Sequence, residues 1–90
     1  MSVTRDLEII NVKGLHARAS AKFVETVEGF DAVAQVEKDG MSVGGDSIMG
    51  LLMLAAARGS TIRVTTSGVQ AQELSDALVA LVGDYFGEGM

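Results

Sequence analysis

Ninety residues with seven Lys and Arg against twelve Asp and Glu carry a net charge of -5, which argues against nucleic acid as the main partner. No cysteine is present, so disulfide and thiol chemistry are excluded and a reducing compartment is expected. The length suits a single domain over residues 1–90, and an apolar fraction of 48% with three Phe, one Tyr and no Trp leaves the core to Val, Leu, Ile, Met and Ala.

Met1–Asp6 has no long apolar stretch, so no signal peptide is expected. Leu7, Ile9 and Asn11 alternate with Asp6, Glu8 and Ile10, which predicts a first strand over roughly Thr4–Val12. Gly14 breaks it. Ala17, Ser20, Val24 and Val27 then fall at helical spacing, predicting a helix from about Ala17 to Glu28 with Gly29 just past its end. Asp31–Lys38 reads as a half-buried strand, and Asp39-Gly40 signals a tight hairpin returning through Met41–Val43.

After Gly44-Gly45, Asp46 and Ser47 are fit to cap a second helix, about Ser47–Ala57. The longest apolar run, Leu51–Ala57, lies there and is far too short to span a bilayer. No membrane insertion and a cytoplasmic location are therefore expected. Ser60–Ser67 alternates as a fourth strand, and Ala71, Leu74, Leu78, Leu81 and Tyr85 mark a last, longest helix. Gly87–Met90 is expected to fray. The order β-α-β-β-α-β-α fits an α+β open-faced sandwich: one four-stranded antiparallel sheet with three helices on one face.

His16 is the only histidine and stands where the first strand gives way to the first helix. Its free ring nitrogen can serve as a nucleophile, because unperturbed imidazole, with a pKa of about 6.5, is largely neutral near physiological pH. The unpaired amides of Ala17 and Arg18 and the positive end of the helix dipole favour an anion there by roughly 0.3–1 kcal/mol. Arg18 sits in the first turn, where the dipole mildly opposes a cation, and this hints at a visiting anion. The plainer reading makes His16 a polar cap and Arg18 a solvated surface residue. A metal site lacks a second His and any Cys to complete it. From Ile9 to Val24 there is no acidic residue, whereas Lys13, Arg18 and Lys22 all fall in that window, a pattern suited to an acidic protein partner.

Gly14-Leu15-His16-Ala17-Arg18 resembles the Gly-Ile/Leu-His-Ala-Arg motif of the HPr family, histidine-containing phosphocarriers of the bacterial phosphotransferase system. Ser47-Ile48-Met49-Gly50-Leu51-Leu52-Met53-Leu54-Ala55 is similar to the family's regulatory-serine helix. The likeness covers nearly the whole chain. Lys22-Phe23-Val24, Gly29-Phe30-Asp31-Ala32 and Tyr85-Phe86 resemble the nitrogen-related branch more than the sugar-transport branch.

The resemblance implies that His16 is phosphorylated on its δ nitrogen, receiving the group from Enzyme I and passing it to an EIIA-type acceptor. Arg18 would neutralise the phosphoryl oxygens and the backbone amides of Ala17 and Arg18 would cradle them. It implies no cofactor, any Mg²⁺ or phosphoenolpyruvate requirement belonging to Enzyme I, so the chain acts as a stoichiometric carrier. Ser47 matches the serine that HPr kinase/phosphorylase modifies in some members; the residues alone favour an N-cap worth about 1 kcal/mol. Ala19 stands where many members have proline, a change the helix should survive.

On the second helix Leu51, Leu54 and Ala55 are expected to face the sheet, leaving Ile48, Met49 and Leu52, with Lys22 nearby, as a partner-docking surface. Glu37, Asp39, Asp84 and Glu88 form no evident catalytic pair and read as solvated surface. Gly44-Gly45 is followed by no Gly-Lys-Ser/Thr, which speaks against nucleotide binding. Two other readings stay open: a regulatory binding module controlled through Ser47, and a small-molecule-binding α+β domain.

Overall fold

The alternating segments pair into one antiparallel sheet. In the computed structural model, which describes residues 1–90, the strands are β1 (Ser2–Glu8), β2 (Val33–Lys38), β3 (Met41–Gly44) and β4 (Thr61–Ser67), in spatial order β1-β4-β2-β3. Leu7 stands opposite Ile62, Val64 opposite Val36, and Thr66 opposite Ala34. This register puts these residues on one face, where all are buried, while Asp6, Glu37 and Arg63 on the other face are exposed. The hairpin between β2 and β3 turns through Asp39 and Gly40, both left-handed at φ 51° and 82°, as a two-residue turn matched to strand twist requires.

Three helices, α1 (Ala17–Glu28), α2 (Ile48–Met53) and α3 (Ala71–Gly83), cover the apolar face. Phe23, Val24 and Val27 of α1, Leu51 of α2, and Leu74, Leu78 and Val82 of α3 join the sheet residues in one core cluster. The open-faced α+β sandwich expected from the element order is the fold observed. No helix is long and apolar enough to cross a membrane.

β2 begins at Val33 rather than Asp31, and α3 stops at Gly83, short of Tyr85; three further differences from expectation shape the region around His16. β1 stops at Glu8 rather than Val12. Ile9 adds one more exchange with the opposite strand, donating to Ser60 O at 2.8 Å and accepting from Gly59 N at 2.7 Å, before the chain turns at Asn11–Gly14. α2 stops at Met53 rather than Ala57, because Ala55 adopts a left-handed φ of 51°. That bend brings Ala56 O to the N–H of Leu15 at 2.9 Å, and at Gly14 (φ 67°) any Cβ would sit 2.6 Å from the same oxygen. The C-terminal segment is tied down as far as Glu88: Tyr85–Gly87 forms a 3-10 turn, Phe86 is fully buried and Glu88 bonds to Asn11 and His16, while Gly89 and Met90 are exposed.

Candidate functional site

His16 is the N-cap residue of α1, with extended backbone (φ -80°, ψ -176°) and no side-chain bond to the first turn. Its carbonyl accepts from Ser20 N at 2.8 Å, which starts the helix. The amides of Ala17, Arg18 and Ala19 have no acceptor within the helix, and no acidic side chain occupies the first turn. An anion placed there meets several donors and the positive end of a 12-residue helix dipole.

The imidazole is engaged elsewhere. Its Nε2 lies 2.5 Å from Oε2 of Glu88, 72 positions away in the chain, while Oε1 of Glu88 accepts from Asn11 Nδ2 at 3.1 Å. Asn11 is fully buried and also donates to Gly14 O at 2.8 Å. Reading Glu88 as solvated surface is therefore wrong: its side chain is only 14% exposed. Desolvation opposes its charge, but the hydrogen bonds from Asn11 and His16, with the charges of His16 and Lys13, outweigh that and hold its carboxyl below the usual range.

Lys13, Arg18 and Lys22 do converge, lining a cleft of about 360 Å³ with Val12, Gly87, Glu88 and Met90. The acid-free window along the chain is thus not acid-free in space, since Glu88 enters it from the far end. Arg18 is exposed and takes part in none of the ion pairs. Lys22 is committed to the C-terminal segment: Nζ donates to Phe86 O at 2.7 Å. Lys13, Leu15, His16 and Ala55–Ala57 line a separate shallow depression of about 230 Å³.

Ser47 Oγ accepts from Gly50 N at 3.0 Å and so caps α2. Ile48, Met49 and Leu52 are exposed, and Met53 extends the same apolar surface. Ala55, expected to face the sheet, is exposed, and Ala56 is buried in its place, because the left-handed turn at Ala55 breaks the helical spacing. Asn11 and Glu88 are the site residues that sequence reasoning missed. Asn11 had left a signal, a polar residue on the buried side of the first alternation; Glu88 had left none.

Residues 3–84 match the family model described as PTS HPr component phosphorylation site. The chain is 49% identical to phosphocarrier protein HPr of Neisseria meningitidis, over 94% of this chain and 96% of that one. It is 38% identical to phosphocarrier protein NPr of Escherichia coli, over 98% and 99% of the two chains. The crystal structure of HPr-C-His from Thermoanaerobacter tengcongensis superposes with a TM-score of 0.89 at 39% identity, covering 100% of this chain and 99% of that one. The chain belongs to the HPr family of the phosphotransferase system, phosphocarriers that work with Enzyme I and EIIA-type partners.

Proposed function

We propose that His16 is the residue that carries the phosphoryl group. Nδ1 of the neutral ring attacks the phosphorus of a phosphohistidine on Enzyme I in line, and a histidine of the EIIA-type acceptor later takes the group by the same displacement. Arg18 neutralises the phosphoryl oxygens, and the amides of Ala17 and Arg18 donate to them. Apart from the N–P bond that His16 makes and later gives up, the protein contributes positioning and electrostatic stabilisation, so a small rigid site suffices. The observation that carries this reading is the uncapped start of α1, where the side chain of His16 leaves the first-turn donors free.

Docking uses the apolar surface of Ile48, Met49 and Leu52, with Met53 added, together with the basic cleft. Lys22 helps through the order it gives that cleft more than through a free charge. The net charge of -5 favours protein partners over nucleic acid, and the exchange takes place in the cytoplasm within one 90-residue domain. Ser47 is the candidate for control by HPr kinase/phosphorylase, since a phosphate there puts charge beside the docking surface.

The test is incubation with Enzyme I and phosphoenolpyruvate followed by intact mass. One acid-labile phosphoryl group is expected on the wild-type chain and none on His16→Ala. Labelling that survives in His16→Ala, or that resists acid in the wild type, overturns the assignment.

A further inference from the structure

We propose that Glu88 is a positioning residue for His16: its carboxylate keeps the imidazole proton on Nε2 and so leaves the lone pair of Nδ1 as the nucleophile. This rests on the reading of His16 as the phosphoryl acceptor. A carboxylate can only accept a hydrogen bond, so at 2.5 Å from Glu88 Oε2 the His16 Nε2 must be the donor. The nitrogen that carries the proton in a neutral imidazole is set by the bond the other nitrogen does or does not make. Nδ1 makes no bond to the first turn of α1.

The carboxylate is delivered by a built segment. Tyr85 and Phe86 hold left-handed φ values of 57° and 53°, a conformation that non-glycine residues keep only where packing fixes it. Here Phe86 is fully buried and its carbonyl accepts from Lys22 Nζ at 2.7 Å. Gly87 follows at φ 77°, where a Cβ would lie 2.9 Å from that same Nζ. Asn11 then fixes the second carboxylate oxygen, its own amide being oriented by its bond to Gly14 O. Backbone, lysine and buried amide together aim Glu88 at one ring nitrogen.

The transfer balances without a proton shuttle. The Nδ1 lone pair forms the new N–P bond, the old bond to phosphorus breaks, and its electron pair leaves with the donor's nitrogen. Nε2 keeps its proton, so the ring passes from neutral to cationic. That positive charge develops against the Glu88 carboxylate, while the phosphoryl group sits on the opposite ring nitrogen, toward Arg18 and the helix amides. A carboxylate that orients a histidine in this way acts through it; losing such a partner costs about 10- to 100-fold for metal-ligating histidines, and about 10-fold is expected here.

The experiment compares wild type, Glu88→Ala and Glu88→Asp, each checked for folding by circular dichroism. Single-turnover phosphorylation by phospho-Enzyme I is measured across carrier concentrations. Ring nitrogen-15 spectra of His16 are recorded at about pH 8, above the ordinary imidazole range. The expected result is a single Nε2–H tautomer in the wild type and a mixture in Glu88→Ala. The saturating rate should fall about 10-fold, with the half-saturating concentration little changed, and Glu88→Asp should recover part of both signals. A folded Glu88→Ala with the wild-type tautomer or the wild-type rate overturns the proposal, as does a loss confined to half-saturation. A wild-type chain that takes no phosphoryl group removes the His16 reading, and with it the proposal, an outcome distinct from either of these.

Discussion

Helices α1 and α2 both begin from a residue in extended backbone, His16 in one case and Ser47 in the other. Ser47 turns its hydroxyl back on its own helix and accepts from Gly50 N at 3.0 Å. His16 sends its ring away from its helix, to Glu88, and leaves the first turn of α1 with unpaired donors. A side chain that caps raises helix stability by about 1 kcal/mol. One that declines to cap gives up that gain and keeps an anion site open, here on the longer helix, whose dipole is the better developed. On the function proposed for His16, the stability of one helix start and the chemistry of the other draw on the same kind of group, the first-turn backbone amide.

The largest effect expected follows from His16 itself. His16→Ala should abolish phosphorylation by Enzyme I, and so should His16→Ser. The two variants separate when they melt: serine gives α1 the cap that α2 already has, so His16→Ser should be more stable than His16→Ala by about 0.5–2 kcal/mol. Equal melting temperatures would mean that the start of α1 is not short of a cap, and the contrast between the helices would fail.

Arg18 comes next. It is exposed and unpaired, so Arg18→Ala should change stability by less than about 0.5 kcal/mol. Transfer should slow by about 10-fold or more, because the guanidinium meets charge on the moving phosphoryl group. A lowered melting temperature with normal transfer would make Arg18 a structural residue instead.

At the other helix start the effects are reversed in kind. Ser47→Ala should cost about 1 kcal/mol of stability by removing the bond to Gly50 and leave transfer unchanged. Ser47→Asp should keep the cap, since an anion suits a helix start, yet weaken docking to Enzyme I by placing charge beside Ile48, Met49 and Leu52. Affinity for Enzyme I at low salt checks this; an unchanged value for Ser47→Asp would reduce Ser47 to a cap.

The two helix starts were not equally legible. The limits of α1, Ala17–Glu28, were readable because local signals agree there: a glycine break, helical spacing of apolar residues and a glycine after the end. α2 is shorter than its residues suggest. Alanine is the best helix former, and nothing local marks Ala55 for a left-handed turn; the bond from Leu15 N to Ala56 O, made across the molecule, overrides the propensity. Glu88 was out of reach for the same reason. Its partners are Asn11 and His16, and the turn that brings it there runs through Tyr85 and Phe86 rather than glycines alone. A motif read along the chain finds His16 and Arg18, which are neighbours in sequence, and misses a carboxylate that is a neighbour only in space.

The smallest expected effect is also the most selective between the two helix starts. The Glu88 carboxyl sits below its ordinary value: burial opposes its ionisation, and hydrogen bonds from Asn11 and His16, with the charges of His16 and Lys13, more than offset it. A lowered carboxyl contributes its full stabilisation above the ordinary Glu pKa of about 4.3 and loses it as pH falls through the lower folded value. Acid should therefore release the segment that follows Phe86 from the start of α1 while leaving α2 as it is, since the cap there is a hydroxyl with no charge to lose. In amide spectra followed through an acid titration, Gly14, Gly87 and Glu88 should move together at pH below the ordinary Glu value of about 4.3, and Gly50 should not. Glu88→Ala should show the displaced positions already at neutral pH and no further step in acid. A Gly50 amide that moves with the others would mean that acid loosens the whole helical layer, and the bond between Glu88 and His16 would then not be what sets the start of α1 apart.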